Sequence, residues 1–165
     1  MNKETKLEKL RKTSKVFAVI AKVMEVLGYV FAALLLLIMI LPTGLYFGFK
    51  LDDAGMIGGI WNLLQDKLDG EIALKVFFII LIILSMIFAY VMRKISKLFK
   101  NINSEYSPFV PENVRIIKTV AIGMAIITLI EVNIGSALVT GFVIWAIALL
   151  FDYGCELQNE SDEII

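Results

Sequence analysis

The chain has 165 residues, 59% of them hydrophobic, with 16 basic and 16 acidic side chains and a formal net charge of zero; its mean hydropathy is +0.82. A soluble domain is about 45–50% apolar, so this composition is that of an integral membrane protein, and the balanced charge gives the whole molecule no pull toward nucleic acid. There is no histidine and one cysteine, Cys155, which excludes histidine acid–base chemistry, Cys/His nucleophile pairs, His/Cys metal cages and an intramolecular disulfide.

The first charge-free run is Val26 to Phe49, long enough to cross the roughly 30 Å hydrocarbon layer. Apolar residues at helical spacing continue upstream through Val16, Phe17, Val19, Ile20, Val23 and Met24, interrupted by Lys15, Lys22 and Glu25. Ser14 is a suitable N-cap, and Pro42 with Gly44 ends or kinks the run, so the first helix is predicted over 14–42, its early turns among lipid headgroups with the lysine reaching water. The long basic start and the absence of a small-x-small cleavage site predict that this segment stays as an anchor rather than being removed as a signal peptide. In the following loop, Asp52 and Asp53, then Asp66, Asp69 and Glu71, read as solvated charge without the spacing of a calcium loop. A short amphipathic piece around Ile60–Leu68, with Trp61, is expected at the membrane surface. Gly55 and Gly59 fall in this loop rather than in an apolar span, which makes them weak as a helix-packing motif.

The second span is built on Val76–Met92, which carries no charge, and is predicted over 72–100. Beyond it Arg93, Lys94, Lys97 and Lys100 alternate with Ile95, Leu98, Phe99 and Ile102, an amphipathic basic extension expected to lie on anionic lipid, with docking of a partner as the other use of that face. Thr119 to Phe151 follows with one charge, Glu131. As a single helix it would measure about 50 Å, too long for one crossing, and Asn133 and Gly135 are turn residues. Two helices, 112–131 and 135–153, are therefore predicted, with Pro111 and Glu112 fitting a first helical turn and Arg115 and Lys118 at the headgroups. Glu131 would sit by the outer turn as a wetted carboxylate; an ion path is the alternative. Pro42, Thr43 and Gly44 could unwind the first span as transporter helices do, but no other span has a matching break.

The fold expected is thus all-α, one domain of four transmembrane helices packed as a bundle. The N-terminal segment carries seven basic residues (Lys3, Lys6, Lys9, Arg11, Lys12, Lys15, Lys22), the loop between the first two spans three (Lys50, Lys67, Lys75), and the next loop six (Arg93, Lys94, Lys97, Lys100, Arg115, Lys118). Thirteen on one side against three on the other puts both termini in the cytoplasm. No phosphate-binding glycine loop, nucleophile elbow or carboxylate pair is present, so no enzymatic activity, cofactor or metal is expected.

The chain closes on "FDYGCELQNESDEII", in which Asp152, Glu156, Glu160, Asp162 and Glu163 stand without a lysine or arginine. On the cytoplasmic side these acids would meet the chain's own bases, or dock a basic partner with Tyr153, Leu157, Ile164 or Ile165 as apolar anchors, since exposed charge pairs alone contribute little. Cys155, beside a helix end, is either a free thiol or a palmitoylation site.

Two stretches carry a resemblance. The ending, with Phe151, Gly154, Leu157, Glu160 and Asp162–Glu163, resembles that of the bacterial membrane proteins grouped as domain of unknown function 2975; "SPFVPENVRIIKTVA", with Pro108, Phe109 and Asn113, is similar to that family's second signature. The family has no assigned biochemical activity. Its genes commonly neighbour a small helix-turn-helix regulator of the Cro/C1 type, so the resemblance implies a membrane partner that holds or controls such a DNA-binding protein in a bacterial inner membrane. A small transporter subunit, an immunity protein against a membrane-active peptide, and a purely structural subunit are the other functions open to such a chain. Membrane lipids are the expected surroundings, homo-oligomerisation is open, and no direct nucleic-acid binding is expected.

Overall fold

A computed structural model describes residues 3–40, 55–104, 108–131 and 134–163. All regular structure among them is helical: α1 (Lys3–Ile40), α2 (Gly55–Lys67), α3 (Gly70–Ser104), α4 (Pro111–Glu131) and α5 (Ile134–Glu163). Four of these, all but α2, are long and apolar enough to cross a membrane, so the protein is an all-α, four-span membrane protein. Pro42, Thr43, Gly44, Lys50, Asp52, Asp53, Asn133, Ile164 and Ile165 lie outside the described residues.

Two helices are longer than their sequence predicts. α1 begins at Lys3 rather than at Ser14, because "KETKLEKLRK" is made of strong helix formers with a Glu8–Lys12 pair at i, i+4. Ser14 is then no cap but a buried interior residue. α5 runs on to Glu163 rather than stopping at 153; Gly154 does not break it, and Glu156, Leu157, Gln158 and Glu160 after it are good helix formers. α3 (70–104 against 72–100) and α4 differ by no more than a turn, and the amphipathic loop piece is a full helix, α2. Pro111 opens α4, where its missing N–H is no loss; the Asn113 and Val114 N–H groups both donate to the Val110 carbonyl.

The spans pack as an open row in chain order, α1 on α3, α3 on α4 and α4 on α5, with no extended interface between the two outermost, α1 and α5. Small side chains make the first contact. Ser14, Ala18, Ala21, Glu25, Gly28, Ala32 and Leu35 are all buried and follow the alternating four-and-three spacing of a helix-packing seam. Gly28 lets α1 approach α3 so closely that an added Cβ would stand 3.0 Å from that of Ala89, the kind of approach that gives helices in lipid their van der Waals attraction. Along this seam the Ser96 hydroxyl donates to the Ala18 carbonyl at 2.9 Å, and Phe17 stacks on Phe99. Large apolar residues of α1, among them Val19, Ile20, Val30 and Leu37, point outward. Between α3 and α4 the core is Val91, Ile116, Val120 and Ile127, with Gly123 lying under Val91. At the far end, α2 covers the start of α3 through Trp61, Ala73 and Phe77.

Candidate functional site

One end of the row carries most of the polar chemistry among the described residues, where the C-terminal part of α3, the first turn of α4 and the last membrane turns of α5 converge. Asn113 is its centre. Its side chain is fully buried; Nδ2 donates to the Pro108 carbonyl at 2.9 Å, and Oδ1 accepts from Asn101 Nδ2 at 3.1 Å. The side chain therefore ties the segment entering α4 to α3. Asn101 also reaches Glu112 at 3.4 Å, and Glu112 pairs with Lys97 at 2.6 Å. A carboxylate in the first turn of α4 also suits the positive end of the helix dipole.

The second tie is apolar. Phe109 lies against Phe151, ring centroids 5.4 Å apart and tilted by 56°, and the same ring fills the notch left by Gly154: an added Cβ would stand 2.7 Å from Cε1 and 2.9 Å from Cγ. Lys118 and Asp152 complete the join between α4 and α5 at 3.2 Å. Cys155, the next residue after Gly154, is a free and buried thiol. The residues of both resembling stretches that pack or bond here, Pro108, Phe109, Asn113, Phe151 and Gly154, thus form one cluster.

Beyond the cluster α5 continues outward as a free helical extension. Tyr153, Glu156, Leu157 and Glu160 occupy one stripe at i, i+3, i+4 and i+7, and all four are exposed. Helical register puts position 163 in line with Glu156 and Glu160, and position 162 on the other side of the helix. The expected meeting of the tail's acids with the chain's own bases is confined, among the described residues, to Asp152 with Lys118; Glu156 and Glu160 have no basic partner there. The reason is topological, since the basic start of α1 is at the opposite edge of the row.

The basic residues of α3 separate into different roles. Lys97 is engaged by Glu112, and Lys94 lies over the Tyr90 ring at 5.3 Å. Arg93 is exposed, and Lys100 lines a groove beside α1. A buried carboxylate not singled out in the sequence, Glu25, sits in the α1 seam with Lys22 Nζ at 2.9 Å. Glu131 is the last residue of α4. No cluster of three or more potential metal ligands occurs among the described residues.

The fold and this site define a multi-pass membrane protein with a helical acidic projection at one end. No protein-family model, curated protein or solved structure matches the chain.

Proposed function

We propose that the protein is a non-enzymatic regulatory component of a bacterial cytoplasmic membrane, and that its α5 extension docks a small basic DNA-binding regulator of the helix-turn-helix type. The observation that carries this reading is the exposed stripe of Tyr153, Glu156, Leu157 and Glu160, two apolar anchors alternating with two carboxylates that have no basic partner among the described residues. Glu160, in the last turn of α5, stands at the negative end of the helix dipole, unfavourable by about 0.3–1 kcal/mol, and a cationic partner relieves that cost. A DNA-binding regulator has the required surface, because phosphate contacts supply much of its affinity for DNA. The acidic stripe and the DNA would compete for it, so docking holds the regulator off the chromosome.

The Lys/Arg distribution, thirteen against three, supports a cytoplasmic position for this end of the row and for both termini. The resemblance to the domain of unknown function 2975 family adds its usual gene neighbour as the regulator to test. Accordingly, the small helix-turn-helix protein encoded beside this gene is purified and its binding to the nanodisc-embedded protein measured. Binding that is lost in E156K/E160K and weakened by added salt supports the reading. Equal binding to that variant, or a gene neighbourhood with no such regulator, sinks it.

A further inference from the structure

We propose that the cytoplasmic end of the α1–α3 pair is a binding site for one anionic glycerophospholipid. A groove of about 560 Å³ lies there, lined by Lys15, Lys22, Lys100 and Asn103 together with Ala18, Val19, Val23, Val26 and Leu27. Its two parts are ordered as a lipid is. Lys15 and Lys100 both line its cytoplasmic end, brought to one level by the antiparallel packing that joins Ala18 to Ser96 and Phe17 to Phe99. The apolar bed of Val19, Val23 and Val26 runs from them into the span.

Lys22 stands between the two parts. Its ammonium is held at 2.9 Å by Glu25, whose side chain is 6% exposed whereas that of Lys22 is 53% exposed. Glu25 therefore fixes the lysine in place and balances its charge, leaving its remaining donors open to the groove. Among the described residues no carboxylate lines the groove itself, so Lys15 and Lys100 leave this lining net positive.

A phosphate at Lys15 and Lys100, ester oxygens within reach of Lys22, and acyl chains along the valines satisfy every part of this lining. A zwitterionic lipid brings an ammonium group to the same two lysines and is disfavoured. A free phosphate ion leaves the apolar bed empty. The site is independent of the α5 extension, and its failure leaves the docking reading untouched.

The test is native mass spectrometry of the full chain released from mixed vesicles of phosphatidylglycerol and phosphatidylcholine. Wild type retains phosphatidylglycerol preferentially. Each basic side chain near an anionic surface contributes roughly fivefold, so K15Q/K100Q lowers that preference by about 25-fold, and the single variant K100Q by about fivefold should the pair fail to insert. K67Q/K75Q removes the same charge from the opposite end of the row, beyond the Debye length of about 10 Å from the groove, and leaves the preference within about twofold. Excess inorganic phosphate does not displace the retained lipid. Equal losses in the groove and control variants, no loss in either groove variant, or displacement by phosphate would each overturn the assignment.

Discussion

Gly154→Ala tests whether the Phe109 ring is seated against α5. The added methyl would lie 2.7 Å from Cε1 and 2.9 Å from Cγ of Phe109, against an ordinary carbon–carbon contact of about 3.5–4.0 Å. Turning the ring about its own axis cannot clear Cγ, so the whole side chain must move by about 1 Å, and the α4–α5 end must open with it. Overpacking of this kind costs about 1–3 kcal/mol. The exchange also removes a glycine from the interior of a helix, a gain of about 1 kcal/mol. The net is a destabilisation of about 1 kcal/mol, or roughly fivefold in the local opening equilibrium. Cys155 reports that opening, because it is the single cysteine and is buried beside the contact. Its maleimide labelling rate in nanodiscs should rise about fivefold in G154A, and in the F109A background the same alanine should cost nothing. Gly59 provides the opposite sign, since a Cβ there meets nothing within 4 Å; G59A should stabilise by up to about 1 kcal/mol. Unchanged labelling in G154A, or a stabilisation equal to that of G59A, would refute the seating of Phe109.

Asn113→Ala removes a fully buried side chain and two hydrogen bonds, worth about 1 kcal/mol each, so a loss of about 2–3 kcal/mol in detergent unfolding is expected, with faster Cys155 labelling. Asp152→Asn breaks an exposed pair with Lys118 and should change stability by no more than about 1 kcal/mol, measured the same way. Gly28→Leu pushes α1 from Ala89, where a Cβ alone is already at 3.0 Å; a cysteine pair introduced at Ala18 and Ser96, which cross-links when these helices touch, should do so far less in the G28L background.

The four spans were legible in the sequence because lipid imposes a length and a charge rule on each of them. The extents of α1 and α5 were not. Helix built from Lys, Glu and Leu carries no membrane signal, and Gly154 looks like a helix stop until the ring that occupies its notch is seen. The α1 seam, Ser14 through Leu35, was not read from the sequence: the helical spacing noted there ran through Val16, Phe17, Val19, Ile20, Val23 and Met24, which point outward. Lipid removes the polar-against-apolar contrast that marks a packing face in water, so small size was the remaining cue. Glu25 was masked in the same way: beside Lys22 it reads as headgroup charge, and its burial follows from the close approach of α3. The meeting of Asn101, Asn113, Phe109 and Gly154 depends on the order in which the spans pack, which no local pattern contains.

The central claim is that the α5 stripe restrains a regulator, and transcript levels in the living cell test it most directly. A strain carrying E156K/E160K at normal membrane abundance should reproduce the transcript changes caused by deleting the whole gene, since the stripe lies beyond the packed cluster and insertion does not depend on it. Normal abundance with wild-type transcripts, in a strain where full deletion does alter them, would contradict the account.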